Sequence, residues 1–209
     1  MTTNEFVILS IDPGTTDLGW AVSKATYGTC KMEVLDMGHL KPTQVISTKP
    51  YRQEVERFGK RPISLRYIRE HIEVLIQKYH PDFYVSEGCF GGQFFTAIEA
   101  LIQSISTIRQ LLLIKYQEPL HIISPKEIKK AASGFGGSGK GEVATAVLLS
   151  NSDITFSKDL NITDTIPSHV SDAIAIAYSF LKLKSNIIEG IHHERFDQIP
   201  APGHPETPA

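Results

Sequence analysis

The sequence has 209 residues, 41% hydrophobic and 21% charged, which suffices for one domain with a normal core and excludes two of full size. No run approaches the roughly 20 apolar residues that a membrane-spanning helix needs, and residues 1–6 lack the basic and apolar regions of a secretory leader, so a cytoplasmic protein is expected. The formal charge of −2 and pI near 6.4 argue against a uniformly basic, phosphate-binding surface.

In chain order, residues 6–11 form a short apolar run rich in β-branched residues, closed by Pro13-Gly14, and read as a buried central strand. Residues 19–22 and 31–40 read as a second and third strand, with Tyr27-Gly28-Thr29 between them as turn material, which makes the start an antiparallel meander. The two cysteines, Cys30 and Cys89, are too few and too scattered for a disulfide framework or a thiolate metal site, and both are expected as reduced, small core residues.

Residues 41–61 read as a looser segment. Residues 49–70 hold seven Lys/Arg (Lys49, Arg52, Arg57, Lys60, Arg61, Arg66, Arg69) against three Glu, while residues 186–209 carry a local charge of −3. Charge is therefore segregated along the chain, although such a basic run is as often a solvated face as a binding patch.

Pro62 stands where a helix can begin, and Leu65, Ile68, Ile72, Val74, Leu75 and Tyr79 recur at helical spacing until His80-Pro81. Residues 83–85 predict a strand running into Ser86-Glu87-Gly88. Over residues 94–116, Ile98, Leu101, Ile102, Ile105, Ile108, Leu111 and Leu112 recur every three or four positions and predict a long helix, which can serve as core or as interface. Residues 121–123 predict a strand, 125–132 a short helix, 134–139 a glycine-rich loop, 140–149 a helix, and 168–183 a last amphipathic helix. The proline-containing residues 186–209 read as a disordered acidic tail, which leaves residues 1–185 as the domain. Three strands followed by alternating helices and strands describe an α/β domain with a mixed sheet flanked by helices.

Asp12 and Glu87 each fall at the carboxyl end of a predicted strand, where ligands gather in open α/β sheets. His169 and Asp172, three residues apart, project from one face of the last helix, and the apolar residues Val170, Ala173 and Ile174 place that face beside the core. Taken singly, an Asp-Pro-Gly is a common turn and a helix-start Asp a common cap; the joint occurrence favours one site. Three carboxylates and an imidazole suit Mg²⁺, with Mn²⁺ substituting, and support two-metal phosphodiester hydrolysis.

These residues resemble a known family. Residues 11–20, from Ile11-Asp12-Pro13-Gly14 to Gly19-Trp20, are similar to the opening motif of RuvC-type Holliday-junction resolvases of the ribonuclease H-like superfamily, and residues 85–90 are similar to their second acidic motif. Pro125 to Lys130, with Gly134-Phe135-Gly136 and Lys140, resembles the family's basic helix and glycine loop. Residues 168–177 resemble its final motif, a D/H-x-x-D pair heading an Ala-rich helix.

The resemblance spans residues 5–183. It implies a mixed five-stranded sheet, three antiparallel strands then parallel ones, and a metal-dependent endonuclease that resolves four-way DNA junctions. It also implies Asp12, Glu87, His169 and Asp172 as catalytic metal ligands, and Phe90, Lys126, Lys129, Lys130 and Lys140 as DNA contacts. A homodimer is implied by the twofold symmetry of the junction, and a branch-migration helicase is left open as a partner.

The same fold acting on other branched DNA or RNA–DNA hybrids is the nearest alternative, and a non-catalytic junction binder a further one. An actin-like ATPase shares the Asp-Pro-Gly-Thr-Thr opening but needs two such domains. Gly134 to Lys140 lacks the Ser/Thr after the lysine that a nucleotide-binding P-loop requires, since Gly141 follows.

Overall fold

The computed structural model describes residues 5–89, 95–133, 147, 151–160 and 166–184. The glycine-rich loop, the predicted helix 140–149 apart from Val147, and the tail lie outside these residues. Strands β1 (Glu5–Asp12), β2 (Leu18–Thr26) and β3 (Met32–Leu40) form the antiparallel meander. β4 (Phe83–Glu87) pairs parallel to β1, and β5 (Leu120–Ile123) parallel to β4.

Among the described residues the sheet has six strands, in the order β5-β4-β1-β2-β3-β6, rather than five. The addition is β6 (Ile154–Phe156), parallel to β3 at the edge. With three residues it is too short to show a periodic pattern.

Strand period two divides the chain between two cores. On β1, Phe6 and Ile8 enter one apolar cluster, while Leu9 and Ile11 enter the other. Phe83 and Val85 of β4 join the first, and Tyr84 joins the second. Each face is covered by helices, as a mixed sheet with apolar residues on both faces requires. α5 (Pro125–Ser133) and α6 (Ser168–Leu183) cover the first face; α3 (Lys60–Tyr79) and α4 (Phe95–Leu111) cover the second.

The alternation breaks once. Val22 of β2 pairs with Asp36, but Ser23 pairs with Val34, so Leu35 is an extra residue on β3. This β-bulge inverts the facing of the rest of the strand. Met32 and Val34 point to the α5/α6 face before it; Met37 does so after it, while Leu35 and Leu40 join the opposite cluster. Asp36 secures the bulge: its carboxylate accepts from its neighbour's amide Met37 N (2.9 Å), from Lys78 Nζ (3.2 Å) and from the Tyr79 hydroxyl.

The segment expected to be loose is helical: α1 (Pro42–Ile46), a 3₁₀ turn (Lys49–Tyr51) and α2 (Arg52–Phe58) precede α3. These pieces are too short to declare a period. Of the seven bases in residues 49–70, three are ion-paired, Arg52 to Glu56, Arg61 to Glu99, and Arg66 to Glu54 and Glu70, which weakens that stretch as a field for phosphate.

Ile63 and Ile76 are buried on α3, whereas Val74 is exposed. α4 continues as a π-helical turn, Leu112–Tyr116. Residues Phe95–Tyr116 are thus one 22-residue helix containing an 18-residue window of mean hydropathy 1.3, long and apolar enough by length and composition alone to cross a membrane. Gln103, Ser104 and Arg109 interrupt its apolar run in the sequence, and Ile105, Ile108, Leu111 and Leu112 seat it on the sheet. Cys30 is exposed rather than core, and Cys89 is half-buried; Cys30 falls in the irregular stretch between β2 and β3.

Candidate active site

Three elements bring the predicted acids together. β1 and β4 are parallel neighbours with Ile11 opposite Ser86, so their last residues, Asp12 and Glu87, end side by side at the carboxyl edge. Both have the parity of the residues facing α5 and α6. α6 supplies His169 and Asp172 from its first two turns. With 11 of its 16 residues buried, it has little freedom to slide.

Its seat depends on Gly19. That residue pairs with Asp12 on one side and His39 on the other, and a Cβ there would lie 1.9 Å from the carbonyl oxygen of His169 and 2.9 Å from its Cβ. Only a bare backbone lets the first turn of α6 descend between Asp12 and His39. His169 Nδ1 then lies 2.6 Å from Asp12 Oδ2. Asp12 is 6% exposed, and a buried carboxylate needs such a partner.

The cleft, about 250 Å³, is lined by Asp12, Glu87, His169 and Asp172 together with Pro125, Ile128, Lys129 and Ile176. All four predicted ligands therefore share one cavity, with Lys129 as its cation. Lys129 is presented by α5, whose start is a capping box: Ser124 Oγ accepts from Glu127 N (3.2 Å), and Glu127 Oε2 accepts from Ser124 N (3.0 Å). The Ser124 bonds hold the Glu127 carboxyl below its usual range. Ser124-Pro125-Lys126-Glu127 was a readable signal for this helix start.

Lys126 and Lys130 are exposed on α5 and do not line the cleft. Phe90 and Lys140 lie outside the described residues. Two residues beside the site were not singled out from the sequence: His39, which lies outside the motifs and whose ring stacks on that of His169 with centroids 5.5 Å apart, and Asp17 of the opening motif, 3.0 Å from His39.

The family model described as "Crossover junction endodeoxyribonuclease RuvC" matches residues 8–180. The chain belongs to the RuvC family. A RuvC crossover junction endodeoxyribonuclease of Prochlorococcus marinus strain NATL1A is 30% identical over 178 residues, 85% of this chain and 99% of that protein. The fold agrees with solved RuvC structures. Thermus thermophilus RuvC in complex with Holliday junction substrate superposes with a TM-score of 0.65 at 22% identity, covering 87% of this chain and 96% of that one. The yeast mitochondrial Holliday junction resolvase gives 0.58 at 14%, covering 88% and 83%. RuvC membership makes the chain a hydrolase of the crossover-junction endodeoxyribonuclease type, in a family of metal-dependent nucleases.

Proposed function

We propose that Asp12, Glu87, His169 and Asp172 bind Mg²⁺, with Mn²⁺ able to replace it, and that the chain uses them to resolve four-way DNA junctions by paired phosphodiester hydrolysis. The observation that carries this reading is the convergence of all four side chains on one cleft beside Lys129. The donor set fits: carboxylate oxygens with one imidazole suit hard divalent cations and leave positions for water and phosphate oxygen. Such cations supply Lewis acidity to the phosphodiester and to a coordinated water.

The chain's own residues do the rest. Asp12 and Glu87, fixed on adjacent strand ends, hold the carboxylate side of the cleft rigid. His169 keeps the buried Asp12 carboxylate partnered at 2.6 Å. Lys129 offers an ammonium to the negative phosphate, while Pro125, Ile128 and Ile176 form the apolar wall that limits water. Lys126 and Lys130 extend the positive edge of α5 outward for further phosphates, and Phe90 and Lys140 are assigned to the DNA on their family motifs. Twofold cutting calls for a homodimer.

The test offers the purified protein four-way, three-way, flap, RNA–DNA hybrid and linear duplex substrates in Mg²⁺. Paired nicks confined to the four-way junction are expected, and equal cutting of flaps or hybrids would move the substrate to branched nucleic acid generally. Asp12→Asn should abolish cutting while junction binding persists; wild-type rates in that variant would remove Asp12 from the site.

A further inference from the structure

Among the described residues, one group of metal-ligating side chains has its ligand atoms within 4.8 Å of one another: Asp17, His39 and His169. Only His169 belongs to the set proposed for Mg²⁺. The three are brought together by two backbone devices. Gly19 opens the slot in which His169 stands, and the bulge at Leu35 turns His39 into that slot. Without the extra residue, Gly38 would stand opposite Gly19, and His39 would face the other core.

The arrangement has a donor set unlike that of the catalytic acids. His39 and His169 stack at 28° with centroids 5.5 Å apart. His39 Nε2 lies 3.0 Å from Asp17 Oδ1, yet that nitrogen is buried and forms no hydrogen bond, so the contact has the proximity of a bond without its direction. Two imidazoles and one carboxylate are the ligands of a three-residue zinc site that keeps one position for water. Bonds of roughly 2.0–2.2 Å at tetrahedral angles put donor atoms about 3.4 Å apart, so a group whose ligand atoms lie within 4.8 Å of one another must tighten by up to about 1.4 Å. The Asp17 side chain, 40% exposed, has room to rotate. Imidazole also shifts preference from Mg²⁺ toward Zn²⁺ and its transition-metal neighbours.

We propose that Asp17, His39 and His169 form a site for a borderline-soft divalent cation, with Zn²⁺ as its probe, adjacent to the carboxylate set and sharing His169 with it. An ion held there takes His169 out of the set proposed for Mg²⁺, so the site is inhibitory. That last clause rests on the proposed nuclease site; the binding does not.

The test uses the full chain in a Cys30→Ser/Cys89→Ser background, which removes thiolate ligands. Co²⁺, read by its visible absorption, and Zn²⁺, read by competition with a chromophoric chelator, should each bind at one equivalent. His39→Gln and Asp17→Asn should weaken both at least tenfold, whereas Glu87→Gln and Asp172→Asn should leave both unchanged. Wild-type affinity in the His39→Gln protein, with its circular dichroism intact, would overturn the proposal. So would absence of Co²⁺ binding in the parent, or loss of binding in Glu87→Gln, which would place the ion at the catalytic acids. In Mg²⁺-supported cleavage, His39→Gln should raise the half-inhibitory Zn²⁺ concentration at least tenfold. The binding measurements need no turnover, so they decide the site even where junction cleavage fails.

Discussion

His71 and His121 sit where water is scarce. His71 packs 5.8 Å from the ring of Trp20, and its Nε2 is buried without a hydrogen bond; burial lowers its pKa. His121 lies among Phe83 and Phe180, and burial, then Lys184, lowers its pKa as well. Both are therefore neutral in the fold at pH values where the unfolded chain has begun to protonate them. The unfolded state then binds more protons, so stability falls as pH drops below the unfolded value of about 6.5 and continues to fall until the folded pKa is passed. The melting temperature should decline between pH 7.5 and 5.5. The drop should be smaller in a His71→Leu/His121→Leu double variant; an unchanged slope would exclude these rings as its source. Tyr84 carries the same signature of burial at the other end of the scale, its hydroxyl pushed up to about 12, and it stays neutral throughout this range.

At the scale of elements, the site depends on how closely α6 approaches β2. In Gly19→Ala the new methyl would overlap the His169 carbonyl, and relief requires the first turn of α6 to lift. Overpacking of this kind costs about 1–3 kcal/mol, or about 2–4 °C of melting temperature per kcal/mol for a domain of this size. His169 and Asp172 move with the helix, so single-turnover cleavage should fall at least tenfold even where the protein remains folded. Full activity in a destabilised variant would show that α6 accommodates the methyl without moving its ligands. The carboxyl ends of β1 and β4, the helix spacing and the four cleft residues, three acids and a histidine, were legible in the sequence because each is a local pattern: an apolar run closed by Pro-Gly, or a histidine three residues before an aspartate. Gly19 as a slot, the β3 bulge and the edge strand Ile154–Phe156 were not. They are relations of register between distant segments, which no periodicity within one segment reports. The short helices over residues 42–58 escaped for a related reason, since none is long enough to repeat its pattern.

For the whole molecule, the sequence left the long helix open between core and interface, and the structure makes one of its faces core. Ile105, Ile108, Leu111 and Leu112 are buried against the sheet, while Phe95 is 80% and Ile102 49% exposed. These two residues are one heptad apart and so share a face, which gives the proposed homodimer an apolar contact. Light scattering after size-exclusion chromatography should give twice the chain mass, and Ile102→Arg should halve it; a parent that elutes as a monomer would remove the dimer. The bulge in β3 bears on how relatives are to be compared at this scale. Which residue stands opposite Gly19 is set by the count of residues between Val34 and Leu40, not by their identity. In a relative with one residue fewer there, a sequence alignment could match a histidine to His39 although it points into the opposite core. Only superposed backbones would tell whether a RuvC protein carries the second imidazole.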